Sequence, residues 1–124
     1  MYKIEKIGDN AFYIKALGTF PPSIAKKFVK EFKTKTKHLE RFSAIIDGLD
    51  FIILALKSFK TILKLLKKNN KKLIKSAYIT KNPVLAKEFE LLLERAESPN
   101  RIIVDNFEDA KNWLEIKEIN IQKQ

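Results

Sequence analysis

The stretch FSAIIDGLDFIILALKSFKTILKLLKKNN, Phe42 to Asn70, decides the fold. Its first five residues are apolar apart from Ser43, as in a strand covered on both faces. Asp47-Gly48-Leu49-Asp50 carries turn chemistry. Beyond it, Ala55, Phe59, Ile62, Leu63 and Leu66 recur at i, i+4, i+7, i+8 and i+11, one face of a helix. Lys57, Lys60, Lys64, Lys67 and Lys68 take the other face. The reading is a central strand, Phe42 to Ile46, a tight turn, and a long covering helix. Asp50 is its expected N-cap and Asn69-Asn70 its stop. In α/β proteins the turn leaving the carboxyl end of a central strand is the usual place for function.

Working outward, Tyr2 to Ile7 alternates loosely and Gly8-Asp9-Asn10 is a turn. Ala11 to Leu17 follows as a second strand, ended by Gly18, so the chain opens on a hairpin. Pro21-Pro22-Ser23 starts a helix, since proline is tolerated where N–H groups lack intrahelical partners. Ile24, Ala25, Phe28, Val29 and Phe32 form its inner face, and it frays near His38. After Asn70 come a strand from Leu73 to Thr80 and a helix opened by Asn82-Pro83. That helix buries Leu85, Phe89, Leu92, Leu93 and Ala96. Ser98-Pro99-Asn100 breaks it. Arg101 to Val104 is a short apolar strand. Asp105-Asn106 caps a last helix with Phe107, Ala110, Trp113 and Leu114 inside. The order β, β, α, β, α, β, α, β, α implies one α/β domain over residues 1–118 and a short tail at 119–124. Its five-stranded mixed sheet has an N-terminal hairpin, then alternating strands and helices, four helices in all.

Composition narrows the function. The 124 residues are 45% apolar, with nine Phe, enough for a real core. No cysteine is present, which excludes disulfides, thiolate metal sites and cysteine nucleophiles. The longest apolar run, Phe51 to Leu56, is far short of the roughly 20 residues that cross a bilayer. The N-terminal MYKIEKIGDNAFYI has no apolar signal region, so a cytoplasmic protein is expected. The net charge is +10 and uneven. Residues 1–81 hold 19 Lys/Arg against 6 Asp/Glu, and residues 82–124 hold 6 against 9. Nearly all of the positive charge is Lys, whereas nucleic-acid readers favour the forked contacts of Arg. Nucleic acid is therefore a disfavoured partner, and the lysine face reads first as a solvated surface. Lys57, Lys60, Lys64, Lys67 and Lys68 would carry any weak polyanion binding.

Catalytic chemistry has little to work with. His38 is the only histidine and sits in a lysine-rich helix end. The three glycines are isolated at 8, 18 and 48, so no loop cradles a phosphate. Asp47/Asp50 and Asp105/Glu108/Asp109 are explained as turn and cap residues, and no third metal ligand is visible beside either group. No cofactor or metal is expected, and no enzyme.

Three segments carry a family resemblance: FSAIIDGLDFIILAL, SAYIT and RIIVDNFEDAKNWL. Together they resemble the central strand, fourth strand and closing strand-helix of the STAS superfamily. That is the fold of the SpoIIAA-like anti-anti-sigma factors and of small stand-alone STAS/SEC14-like bacterial proteins. The resemblance implies a SpoIIAA-like domain that acts by binding. Anti-anti-sigma members are switched by phosphorylation in an Asp-Ser-Ser/Thr-Gly turn. Here that motif falls on Asp50-Phe51-Ile52-Ile53, keeping only the Asp, and Ser58 lies too far on to substitute. The expectation is a non-enzymatic interaction or regulatory module without the serine switch. Asp47, Leu49, Asp50, Phe51 and Ile52 would contact another protein or a second copy. The SEC14-like relatives imply the alternative of a small apolar ligand or lipid held between helices and sheet.

Overall fold

A computed structural model describes residues 1–115. The expected tail at 119–124, and with it the domain end at 118, lies outside the described residues. The strands are β1 (Tyr2–Gly8), β2 (Ala11–Phe20), β3 (Phe42–Leu54), β4 (Leu73–Ile79) and β5 (Arg101–Val104). The helices are α1 (Pro22–Thr36), α2 (Leu56–Asn69), α3 (Pro83–Ala96) and α4 (Phe107–Leu114). One sheet runs in the order β1-β2-β3-β4-β5, with β1 antiparallel to β2 and the other pairs parallel. The expected five-stranded mixed sheet and four helices are therefore present.

Strand parity sorts the core into two layers. Phe12 and Ile14 of β2, Phe42 and Ala44 of β3 and Tyr78 of β4 join α1, α2 and α3 in one cluster. The alternate residues Tyr13, Ile45, Ala77 and Ile79 pack with Ala110 and Leu114 of α4 on the other face. The larger layer is aromatic. Phe12, Phe32 and Phe42 meet edge to face, and Phe28 stacks on Phe32 at 5.7 Å. Each such pair adds about 1 kcal/mol beyond the area it buries.

Local signals placed the later helices well. Asn82 accepts hydrogen bonds from the N–H of Val84 and of Leu85. Asn106 accepts from the N–H of Asp109 at 2.8 Å. Each satisfies donors that a helix N-terminus otherwise leaves open.

The decisive stretch behaves differently from its reading. β3 does not end at Ile46 but continues to Leu54, and α2 begins at Leu56. Asp50 is therefore not a helix cap; Ala55 holds the N-cap position with no side-chain bond. Ala55, expected inside, is exposed, and buried Ser58 and Leu65 join Phe59 and Leu66 on the inner face. The reason lies in the register with β2. Between Lys15↔Asp47 and Leu17↔Asp50, β3 spends one residue more than β2, and it does so again between Gly18↔Phe51 and Thr19↔Ile53. These are β-bulges, which use the same Asp and Gly residues as turns while keeping the strand going. β2 matches the extension: it runs through Gly18, at φ +63, to Phe20 instead of stopping at Leu17. Since β4 pairs with β3 only as far as Asp47↔Ile79, the segments 17–20 and 50–54 form a two-stranded ribbon beyond the sheet.

Gly48 allows the first bulge. A Cβ there would lie 2.9 Å from the Ile79 carbonyl oxygen and 3.3 Å from the Phe89 ring. We expect Gly48→Ala to lower stability by about 1–3 kcal/mol, the usual cost of overpacking a tight site. Its urea midpoint should fall, and an unchanged midpoint would show that both the β4 backbone and α3 yield freely.

Candidate functional site

The five residues expected to meet a partner separate into two groups. Asp47 is buried. It accepts the Tyr13 hydroxyl through Oδ2 and the Leu49 N–H through Oδ1 at 3.0 Å, which secures the start of the bulge. Burial, and then the bond to Asp47, push the Tyr13 phenol well above its ordinary range. Phe51, expected at the surface, is only 6% exposed and meets Phe20 edge-on at 6.0 Å. The two bulges change the alternation, so that Phe51 and Leu54 turn inward. Leu49 and Ile52 are exposed as expected, Ile52 at 62%. Asp50 is exposed and pairs with Lys15 at 3.3 Å, a surface bridge of little energetic weight.

The structure adds residues to the exposed set. Ile53, Leu56 (72% exposed) and Leu17 lie on the same ribbon or at the helix start that leaves it. Leu17 pairs in register with Asp50, and Thr19 with Ile53. The result is an apolar rim at the carboxyl edge of the parallel strands. The run FIILAL signalled it, but the helical reading assigned its side chains wrongly.

The five lysines of α2 are all exposed. Two neighbours diverge from them. Lys72 Nζ donates to the Thr36 carbonyl at 3.2 Å, and Lys75 Nζ lies 4.4 Å from the centre of the Trp113 ring, on α4. Ser58, read as too distant from the family's serine turn, falls in the first turn of α2. Its hydroxyl is fully buried and donates to the Phe20 carbonyl. Among the described residues no group of three His, Asp or Glu side chains converges as a metal site.

Beneath the rim, between the sheet and the helices, lies an apolar cavity of about 90 Å³. Phe20, Phe28, Phe51, Leu54 and Leu65 contribute to its walls, so the inward residues of the ribbon line it while Ile52 and Ile53 face solvent. At about 24 cal/mol per Å³, an empty void of this size costs roughly 2 kcal/mol against a filled one. Two buried polar residues stand among its walls. Ser76 of β4 and Arg101 of β5 are register partners, both buried, and both line the cavity with Tyr78. Arg101 Nη2 donates to the Leu66 carbonyl at 3.0 Å and to Asn70 Oδ1 at 3.1 Å, and Asn70 Nδ2 donates to the Ala96 carbonyl at 2.7 Å. One guanidinium and one amide thus cap the carboxyl ends of α2 and α3, where carbonyls lack partners and a positive charge is favoured. Arg101 Nε and Ser76 Oγ have no hydrogen-bond partner. Burial raises the Tyr78 phenol's pKa, and the adjacent Arg101 opposes that rise. Nothing in the sequence reading singled out Ser76 or Arg101. The available signal was an arginine and a serine at positions otherwise occupied by core residues in two short apolar strands.

Two predictions follow from this packing. Ala44, on the cavity floor, should accept Ala44→Val with a gain of about 1 kcal/mol in denaturant unfolding, because the added methyls fill space. The phenols set the alkaline limit. Burial, aided by a 2.7 Å bond to Glu31, pushes Tyr2 up to about 12, and Tyr13 and Tyr78 are raised as well. A raised folded pKa contributes stability that is complete below the unfolded value near 10 and lost as pH climbs through the folded value. Tyrosinate absorbance should therefore lag behind that of free tyrosine above pH 10 and appear together with unfolding. Ordinary titration at pH 10 in the folded protein would contradict this.

No protein-family model and no curated protein sequence matches the chain. Solved structures do. An uncharacterized DUF3478-family protein from Shewanella loihica PV-4 with a SpoIIAA-like fold aligns at TM-score 0.71 and 19% identity, over 92% of each chain. The anti-sigma factor antagonist SpoIIAA, in its unphosphorylated form, aligns at TM-score 0.62 and 10% identity, over 88% of this chain and 92% of its own. Among the described residues no helix is long and apolar enough to cross a membrane. The chain has the SpoIIAA-like α/β fold.

Proposed function

We propose that this protein works by contact, as a non-enzymatic STAS-type interaction or regulatory module, and that the ribbon of β2 and β3 carries its partner surface. The observation behind this reading is the apolar rim formed by Leu17, Leu49, Ile52, Ile53 and Leu56 on one short ribbon and the helix start that follows it. Scattered apolar residues on a surface need no explanation, but a concentration on one projecting element is characteristic of recognition. The likeness to an anti-sigma factor antagonist supports action on a protein. Phe51 and Ile52 stand where the related turn carries hydroxyls, and Ser58 is buried beneath the ribbon. Both favour recognition without a phosphorylation step.

The cavity supports a second reading, a small apolar ligand held between sheet and helices. Weak polyanion binding by the α2 lysines has no comparable support. The aromatic side chains of α2 and its neighbours lie in the core, away from those lysines, so no base-stacking platform accompanies them.

Ile52→Asp and Leu56→Asp place charge at exposed positions and should leave the fold intact. A protein captured by the wild type from its native host, then purified, should bind either variant at least about tenfold more weakly, as expected for a central apolar contact. It should bind Lys60→Glu normally. Equal binding of the apolar variants would overturn the ribbon as the partner surface.

A further inference from the structure

We propose that the carboxyl edge of the sheet docks on anionic membrane surfaces, its aliphatic rim entering the headgroup layer and the lysines around it facing acidic lipids. The membrane would use the same rim as the proposed protein partner, and in addition charges that such a partner does not need.

Two properties coincide at this edge. The first is apolar. Leu17, Leu49, Ile52, Ile53 and Leu56 are joined there by Val84, which is 67% exposed and lies just after the Asn82 cap of α3. Of the other large apolar side chains exposed among the described residues, Met1 accepts the Leu17 N–H through its carbonyl, and Leu91 lies further down α3. Exposure of this kind is thus gathered at one end of the molecule.

The second property is positive charge. α1, α2 and α3 all begin at this edge, because each follows a strand of the parallel part of the sheet. An acidic residue in the first turn is the usual complement to a helix's positive end, and none of the three has one. Instead Lys26 and Lys27 of α1, Lys57 and Lys60 of α2, and Lys81 ahead of α3 stand exposed in or beside the opening turns. Asp50, the exposed acid of the ribbon, is paired with Lys15. Glu88 of α3 is half-buried. Asp105, Glu108 and Asp109 stand at the start of α4, which covers the opposite face of the sheet. The molecule would therefore sit with the α1 and α2 side toward the lipid.

An exposed aliphatic patch beside cations suits a peripheral membrane contact. The apolar tips gain by leaving water, and the cations are drawn to an acidic leaflet. Lys60 lies one helical turn from Leu56, about 6 Å along the axis. Its flexible apolar stem carries the charge outward over that distance. The shortage of arginine counts against base reading but not against this contact, since a headgroup layer presents no fixed geometry for a guanidinium fork to match.

Vesicle co-sedimentation of the full chain tests the proposal. Vesicles of phosphatidylcholine with about 30% phosphatidylserine should bind it at least about tenfold more tightly than vesicles of phosphatidylcholine alone. The double variant Lys57→Glu with Lys60→Glu should lose most binding to the acidic vesicles while still binding the purified protein partner. Ile52→Asp should lose both. All three positions are exposed, so urea midpoints should match that of the wild type and exclude misfolding as the cause. Wild-type binding of acidic vesicles by the lysine variant overturns the proposal. So does wild-type binding by Ile52→Asp, which would mean that the lysines act alone as a polyanion surface. Equal binding to the two vesicle types, or binding to neither, overturns it as well. None of these vesicle results decides the partner reading, which stands or falls on partner binding by Ile52→Asp without lipid.

Discussion

The path of β3 past the end of the sheet depends on one buried polar contact. Asp47 takes the Tyr13 hydroxyl and the Leu49 N–H at the point where β3 loses its β4 neighbour. A carboxylate buried there without partners would be costly, and with two donors it instead fixes the first bulge. The neighbouring Gly48 lets the backbone pass against the Ile79 carbonyl and Phe89. Everything distinctive about the carboxyl edge follows. The ribbon extends, Phe51 and Leu54 swing into the core, Ile52 and Ile53 swing out, and α2 starts six residues after the expected cap at Asp50.

The opposite polar cluster does a different structural job. Arg101 and Asn70 close the carboxyl ends of α2 and α3, the two helices that roof the cavity beside α1. A guanidinium suits this role because it offers several fixed donors and stays charged when buried. Capping uses only part of that capacity. Arg101 therefore has a full structural explanation for one nitrogen and none for another.

The rim and the cavity share one segment. Between Phe51 and Leu56, inner residues touch the cavity and outer residues form the proposed partner surface. Filling the cavity would press on the same backbone that presents the rim, and close-packed interiors transmit such displacements. Contact with a partner and occupancy by a ligand are thus physically adjacent readings of one element.

The sequence alone determined the element order, the mixed sheet and the inner faces of α1, α3 and α4. Those features rest on local periodicity and caps: Asn82 and Asn106 bond the nearest backbone donors whatever lies across the sheet. It also placed Leu49 and Ile52 at the surface. Only the tertiary structure decided the fate of Asp47 to Ala55. Bulges and turns draw on the same residues, and pairing with Leu17 to Phe20, far back in the chain, selects the bulge. The same holds for Ser76 and Arg101. Both are buried register partners beside the cavity, and they stand 25 positions apart in the chain.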